Sequence, residues 1–142
     1  MNSKKFKVSI LAFVSIFTMS CSSDDSSSST ETITEETSQT NTWVKLTATT
    51  SAGVNKPNYI IMMFDQPVTS TNDLPPIKKQ ITTDANGLAY FDLNSMITST
   101  TPTKYYFEAF VQNGTGYIWK SVSHYNVNLS KGTMATSSII VN

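Results

Sequence analysis

Hydrophobic and polar residues alternate with a period of two along much of the chain after residue 41. In residues 43–49, WVKLTAT, aliphatic side chains occupy every second position, which predicts a strand with one buried face. Residues 58–65, NYIIMMFD, are apolar at successive positions, so they predict a central strand or one whose outer side is covered. No helical period of useful length follows, although LNSMITS (93–99) could form a turn.

Turn-forming residues divide these apolar runs. Residues 65–78 contain three prolines, which predicts a loop or a broken edge strand. Residues 78–93 predict a hairpin with an Asn-Gly pair at its turn, because these residues tolerate a positive φ. A second turn, QNGTG, joins the strand predicted at 104–111 to the one predicted at 116–129, and ATSSIIVN closes the chain as a last strand.

About seven short strands in about 100 residues favour an all-β, immunoglobulin-like antiparallel sandwich. A further likeness depends on Thr83, Asp84, Gly87, Phe91, Tyr105, Phe107 and Ala109. In the spacing of these residues the chain resembles transthyretin-like and carboxypeptidase-regulatory-like domains. It differs from their pattern by a long insertion at residues 65–79. The resemblance implies a domain without chemistry of its own that serves as an adhesive, folding or docking module.

Charge divides the chain into three parts. Residues 1–20 carry +3, residues 21–40 carry −5 and residues 41–142 carry +2, and the chain contains no arginine. Without arginine or a basic stripe, we do not expect nucleic acid as a partner. The basic start is followed by a ten-residue, predominantly apolar run, Val8 to Phe17. This run is too short to span a membrane comfortably and predicts a secretory signal peptide over residues 1–20.

Cys21 is the only cysteine and directly follows that signal. The segment TMSC resembles the lipobox of bacterial lipoproteins, with Ser20 at the small position before the cut and Thr18 departing from the usual Leu. The resemblance implies removal of residues 1–20 and attachment of diacylglycerol and acyl chains such as palmitate to Cys21. Several acyl chains hold a protein firmly on a membrane. The alternative is a signal peptide cut elsewhere and a free thiol.

Ser23, Asp24 and Asp25 stand immediately behind this cysteine. They resemble the export signal that takes some Gram-negative lipoproteins to the outer face of the outer membrane. The alternatives are a solvated linker and a domain that faces the periplasm. Residues 21–40 are acidic and rich in Ser and Thr, which predicts a disordered tether ahead of the β-domain at 41–142.

Catalytic and metal-binding residues are sparse. His124 is the only histidine, and no Gly-x-Ser-x-Gly segment is present to position a serine nucleophile. Asp84 and Asn86 lack the run of oxygen ligands typical of a calcium loop and are better explained as turn residues. We therefore expect no enzyme activity, no metal and no cofactor apart from the lipid on Cys21.

Aromatic residues supply the candidate binding surface. Alternation in residues 104–111 places Tyr105, Phe107, Ala109 and Val111 towards the core and Tyr106, Glu108 and Phe110 outwards. On the following strand Tyr117 and Trp119 share a face. The surface predicted to bind a ligand therefore consists of Trp119, Tyr117, Tyr106 and Phe110. Three alternatives remain open for it: cover by the tether, the 66–79 loop or the opposite sheet; docking of a protein; and stacking against sugar rings.

Three functions follow from these observations. The first is a non-catalytic lipoprotein, anchored in the outer membrane and facing the cell exterior, that serves as an interaction or accessory module of an envelope complex. The second is a surface lipoprotein that binds polysaccharide through the exposed aromatic residues. The third is a secretion-system lipoprotein with a transthyretin-like fold that faces the periplasm.

Overall fold

Strands account for all the regular structure in residues 41–142, which are the residues that the computed structural model describes. The predictions for the signal peptide, Cys21, the Ser23-Asp24-Asp25 signal and the tether fall outside the described residues. The strands are β1 (Trp43–Thr49), β2 (Ile60–Phe64), β3 (Lys79–Thr82), β4 (Leu88–Asp92), β5 (Thr103–Asn113), β6 (Gly116–Trp119), β7 (Tyr125–Leu129) and β8 (Met134–Ile140). Within this part of the chain, no helix is long and apolar enough to cross a membrane.

The strands form two sheets. The smaller sheet has the order β4-β1-β8, in which β1 is antiparallel to β4 and parallel to β8. The larger sheet has the order β3-β2-β5-β6. Strand β7 pairs with the same edge of β5 as β6 does, but at the other end of β5, along Thr103–Phe107. The predicted all-β, immunoglobulin-like sandwich is confirmed, with one parallel pair in place of purely antiparallel pairing.

The main core lies between the two sheets. Every second residue of β1 is completely buried, as its alternation predicted. Burying one large aliphatic or aromatic side chain contributes about 1.5–3 kcal/mol, so this layer supplies most of the stabilisation. Its buried members are Val44, Leu46, Ala48, Ile61, Met63, Ala89, Phe91, Leu93, Ile97, Phe107, Ala109, Leu129, Ile139 and Val141.

Strand β2 is buried on both faces, which confirms the prediction of a central or covered strand. Ile61 and Met63 enter the main core, while Met62 and Phe64 point to the opposite side of the larger sheet. There they join Phe110 and Val68 in a second apolar cluster. Because β2 lies between β3 and β5, it is an interior strand of the larger sheet.

The hairpin predicted for residues 78–93 is wrong. A tight turn does form, since the N–H of Asp84 donates to the carbonyl of Leu88, and Gly87 has a φ of 74°. The two arms nevertheless separate, because β3 pairs with β2 in the larger sheet and β4 pairs with β1 in the smaller one. The local turn reverses the chain, while β4 pairs along β1 and buries Phe91 in the main core.

The predicted turn at QNGTG is confirmed and joins β5 and β6 as a hairpin, with Gly114 at a φ of 60° and Asn113 paired with Gly116. The long strand expected at 116–129 is interrupted between Trp119 and Tyr125, which raises the strand number to eight. The interruption lets two short strands share one edge of the long strand β5.

Candidate interaction surface

The outer face of the larger sheet holds all four side chains that the sequence suggested for a binding surface. On β5, Tyr106 and Phe110 point away from the main core, as the alternation predicted. On β6, Tyr117 and Trp119 lie on the same side. The antiparallel register places Trp119 directly opposite Phe110, so one cluster contains all four.

The loop at residues 65–78 covers part of this face. Val68 is buried against Met62, Phe64 and Phe110, and Leu74 packs on the same cluster. Phe110 has no exposed surface, so it supports its neighbours and cannot itself contact a ligand. The loop therefore covers the part of the predicted binding surface next to β2, which was one of the alternatives left open by the sequence. Tyr106, Tyr117 and Trp119 remain partly exposed.

An ion pair joins the two ends of that loop. The ammonium of Lys78 lies 2.6 Å from the carboxylate of Asp65. The hydrogen bond from Lys78 holds the pKa of Asp65 below its ordinary value of 3.8. The N–H of Lys78 also donates to the carbonyl of Met63, which attaches the end of the loop to β2.

Aromatic contacts orient the side chains of β6. The indole of Trp119 stacks on Phe110 with ring centroids 6.5 Å apart and an angle of 20° between the planes. Tyr117 meets Phe110 edge to face at 6.2 Å. Such geometries stabilise aromatic pairs by about 0.5–1.5 kcal/mol beyond area burial. The two β6 rings are therefore held in place against the buried Phe110.

Glu108 is the least expected member of this face, because only 3% of its surface is exposed. One carboxylate oxygen accepts a hydrogen bond of 2.9 Å from Nε1 of Trp119, and the other lies 2.9 Å from Nδ1 of His124. The His124 ring stands 5.4 Å from the indole. Both oxygens of the buried carboxylate are thus satisfied, as a buried charge requires.

The sequence reasoning treated Glu108 and His124 separately and missed this grouping. The sequence did contain a signal for the burial of Glu108. This residue lies between Tyr106 and Phe110 in the row of side chains predicted to point outwards, and large aromatic neighbours can bury an acidic side chain. His124 lies at the edge of this group, with 58% of its side chain exposed and its Nδ1 against Glu108.

Glu108 and His124 pair with each other, while the neighbouring serines bond to the backbone. The hydroxyl of Ser121 accepts from the N–H of Ala109 at 2.6 Å, and that of Ser123 accepts from the N–H of Ile140 at 2.8 Å. The Glu108 carboxylate instead orients the indole. In residues 41–142, no three His, Cys, Asp or Glu side chains are grouped to hold a metal ion.

Asp84 and Asn86 form a turn and do not converge as metal ligands. The Asp84 carboxylate accepts hydrogen bonds from the backbone N–H groups of Asn86 and Leu88, at 2.8 and 2.9 Å. These bonds are typical of an Asx turn. The interpretation of the two residues as turn-formers is therefore confirmed.

Comparison with known proteins adds little to this description. The chain matches no protein-family model and no curated protein sequence. Among solved structures it is similar to a streptococcal ancillary pilin, with 14% sequence identity and a TM-score of 0.45. The similarity covers 74% of this chain and 33% of the pilin, so the chain spans about a third of that protein's length. A likeness of this size does not identify a function.

Proposed function

We propose that this chain is a non-catalytic lipoprotein, anchored in the outer membrane through Cys21 and exposed at the cell surface, whose sandwich docks a protein of the envelope at the edge formed by β6. The observation that carries the proposal is that β6 is an edge strand with partly exposed apolar side chains on both of its faces.

The two faces of β6 differ in character. Tyr117 and Trp119 lie on the outer face, and Ile118, with 42% of its surface exposed, lies on the other. Val122, which follows the strand, is 59% exposed. Isolated exposed apolar residues are common, but a group of them along one edge is typical of an interaction site.

The backbone of this edge also favours a protein partner. An edge strand presents unpaired N–H and C=O groups, and proteins usually block such edges with lysine, proline or a bulge. Residues 116–119, GYIW, contain no charge and no proline. Among residues 41–142, no further strand pairs with β6 beyond β5. A partner strand could therefore add to the sheet here, with pockets for its side chains beside Trp119 and Ile118.

Polysaccharide binding at this same edge has less support. The indole of Trp119 contacts Phe110 and His124 and donates its N–H to Glu108, and the exposed side chains beside it, Ile118 and Val122, offer no group that could hydrogen-bond to a sugar. A fixed aromatic side chain next to exposed aliphatic residues is instead suited to act as an anchor in a protein interface.

The docking site is tested by site-specific photocrosslinking in cells that carry the full-length anchored protein. We expect a crosslinker at Val122 to capture one defined partner, and Ile118→Lys to abolish that product because it places a charge in the apolar contact. Thr82→Lys, on the exposed face of the opposite edge strand β3, is the matched control and should leave the product unchanged. Equal crosslinking in both variants would contradict docking at β6.

The anchor and the orientation need a separate measurement. Cys21→Ala should release the protein from the outer-membrane fraction, because the acyl chains would then have no attachment site. Protease added to intact cells should degrade the wild-type domain, and replacement of Ser23, Asp24 and Asp25 by alanine should protect it. Protection of the wild-type chain would instead support the periplasm-facing secretion-system lipoprotein.

A further inference from the structure

The outer face of the smaller sheet carries a second aromatic group that the sequence reasoning did not select. Trp43 and Lys45 are two residues apart on β1, and Tyr90 lies opposite Lys45 on the neighbouring strand β4. The two rings are 6.1 Å apart, with an angle of 36° between their planes. They lie on the opposite side of the sandwich core from the candidate interaction surface.

A lysine ammonium stands over both rings of this patch. Nζ of Lys45 is 4.9 Å from the centroid of Trp43 and 5.6 Å from that of Tyr90, which is within the range of cation–π attraction. In the part of the chain that the structure describes, no carboxylate oxygen lies within 4 Å of this ammonium, and the nearest acidic position on the face is Asp92, which pairs with Trp43. The patch therefore combines two aromatic rings with a lysine that makes no direct salt bridge, and Asp92 lies at its β4 end.

The surroundings of the patch are open and polar. Tyr90 is 45% exposed, and Met134, which pairs with Trp43 on β8, is 61% exposed. The next outward positions on β8 are Thr136 and Ser138, which are both exposed and provide hydroxyl groups. The three strands thus present a sheet face with aromatic rings at one end and hydroxyl groups beside them.

This combination fits an acidic sugar better than an apolar protein surface. The C–H groups of a sugar ring can stack on Trp43 and Tyr90, its hydroxyl groups can bond to Thr136, and its carboxylate can pair with Lys45. An apolar partner would have to strip water from the Lys45 ammonium without compensating its charge, which is costly.

We propose that the Trp43–Lys45–Tyr90 patch is a binding site for polysaccharides that contain uronic acids. This site is independent of the protein-docking edge at β6 and does not rest on it. Charge pairing with Lys45 gives the preference for acidic over neutral chains, and stacking on Trp43 gives the affinity for a sugar ring.

Affinity electrophoresis of the full-length protein in detergent tests the site, with polygalacturonate in the gel as the probe and neutral dextran as its uncharged control. We expect polygalacturonate, but not dextran, to retard the wild-type protein. Trp43→Ala should weaken binding by about tenfold or more, as expected for the loss of about 1.4 kcal/mol or more of stacking. Lys45→Met, which keeps an unbranched side chain without the charge, should remove the preference for the acidic chain.

Trp119→Ala is the matched control, since it removes the other tryptophan from the opposite face and should leave retardation unchanged. Urea unfolding of each variant checks that it is folded. If Trp43→Ala does not fold, Lys45→Met still tests the site, because Lys45 is partly exposed and its replacement should leave the fold intact. The proposal is overturned by an absence of wild-type retardation, by equal retardation in dextran, or by an unchanged preference in Lys45→Met. Loss of β6 crosslinking with intact polygalacturonate binding would refute only the docking proposal.

Discussion

Gly87→Ala should be among the most destabilising single-methyl substitutions in this domain. Gly87 has a φ of 74°, and a Cβ atom at this position would lie 2.9 Å from both the carbonyl oxygen of Ala48 and the backbone nitrogen of Lys56. Neither neighbour is free to move, because the N–H of Lys56 donates to the carbonyl of Ala48 at 2.8 Å. The N–H of Ala48 in turn donates to the carbonyl of Gly87 at 2.9 Å, so the three backbones are bonded together.

Two costs add at this position. A left-handed backbone conformation costs an alanine about 1–2 kcal/mol relative to glycine. Relief of the two close contacts requires movement of hydrogen-bonded backbone, and each weakened hydrogen bond costs about 0.5–1.5 kcal/mol. Together these effects lower the free energy of unfolding by about 2–5 kcal/mol. That loss is a large share of the roughly 5–15 kcal/mol typical of a domain.

Urea unfolding followed by tryptophan fluorescence measures the loss, and Gly114→Ala supplies the matched control. Gly114 has a φ of 60°, but a Cβ atom at this position would have no neighbour within 4 Å, so only the conformational cost applies. We expect Gly87→Ala to lose at least about 1 kcal/mol more than Gly114→Ala. Equal losses in the two variants would refute the role assigned to the close backbone contact.

Three further predictions concern side chains. Glu108→Ala should lower the free energy of unfolding by about 1–3 kcal/mol, because the indole N–H loses its acceptor, and Glu108→Gln should lose less in the same urea assay because its amide oxygen still accepts. Lys78→Met should raise the pKa of Asp65 towards its ordinary value of 3.8 in an NMR titration. Because the pKa of Asp65 is lower in the folded state, the ion pair stabilises the wild type above pH 3.8, and this stabilisation is lost as pH falls through the folded-state pKa. The stability of Lys78→Met should lack this pH dependence. Thr83→Val removes two hydrogen bonds to the backbone of Lys56 and Tyr59, in the segment before β2, and should cost about 1–3 kcal/mol in the same urea assay. Thr82→Val, at an exposed position, should change stability by about 0.5 kcal/mol or less.

The faces of the strands were predictable from local pattern. The assignment of Phe107 and Ala109 to the core and of Tyr106 and Phe110 to the opposite side was correct. Side chains on successive strand residues point to opposite sides whatever the strand pairs with, so alternation alone carries this information. The continuous apolar run of β2 likewise predicted burial on both faces.

The partners of the strands were not predictable in this way. The turn at Gly87 has the residues of a hairpin, yet β3 and β4 belong to different sheets. Turn chemistry acts over a few residues, whereas strand pairing depends on which apolar faces pack best over the whole domain. The division of residues 116–129 into two strands on one edge of β5 has the same origin.

The β-class of the domain, the faces of most strands and the candidate aromatic residues thus followed from local sequence pattern. Three features came instead from packing: the cover of Phe110 by the 65–78 loop, the contacts of Glu108 with Trp119 and His124, and the position of the Lys45 ammonium over two rings. The first group of properties depends on backbone geometry that repeats every two residues. The second depends on contacts between residues distant along the chain, which only strand register and packing bring together.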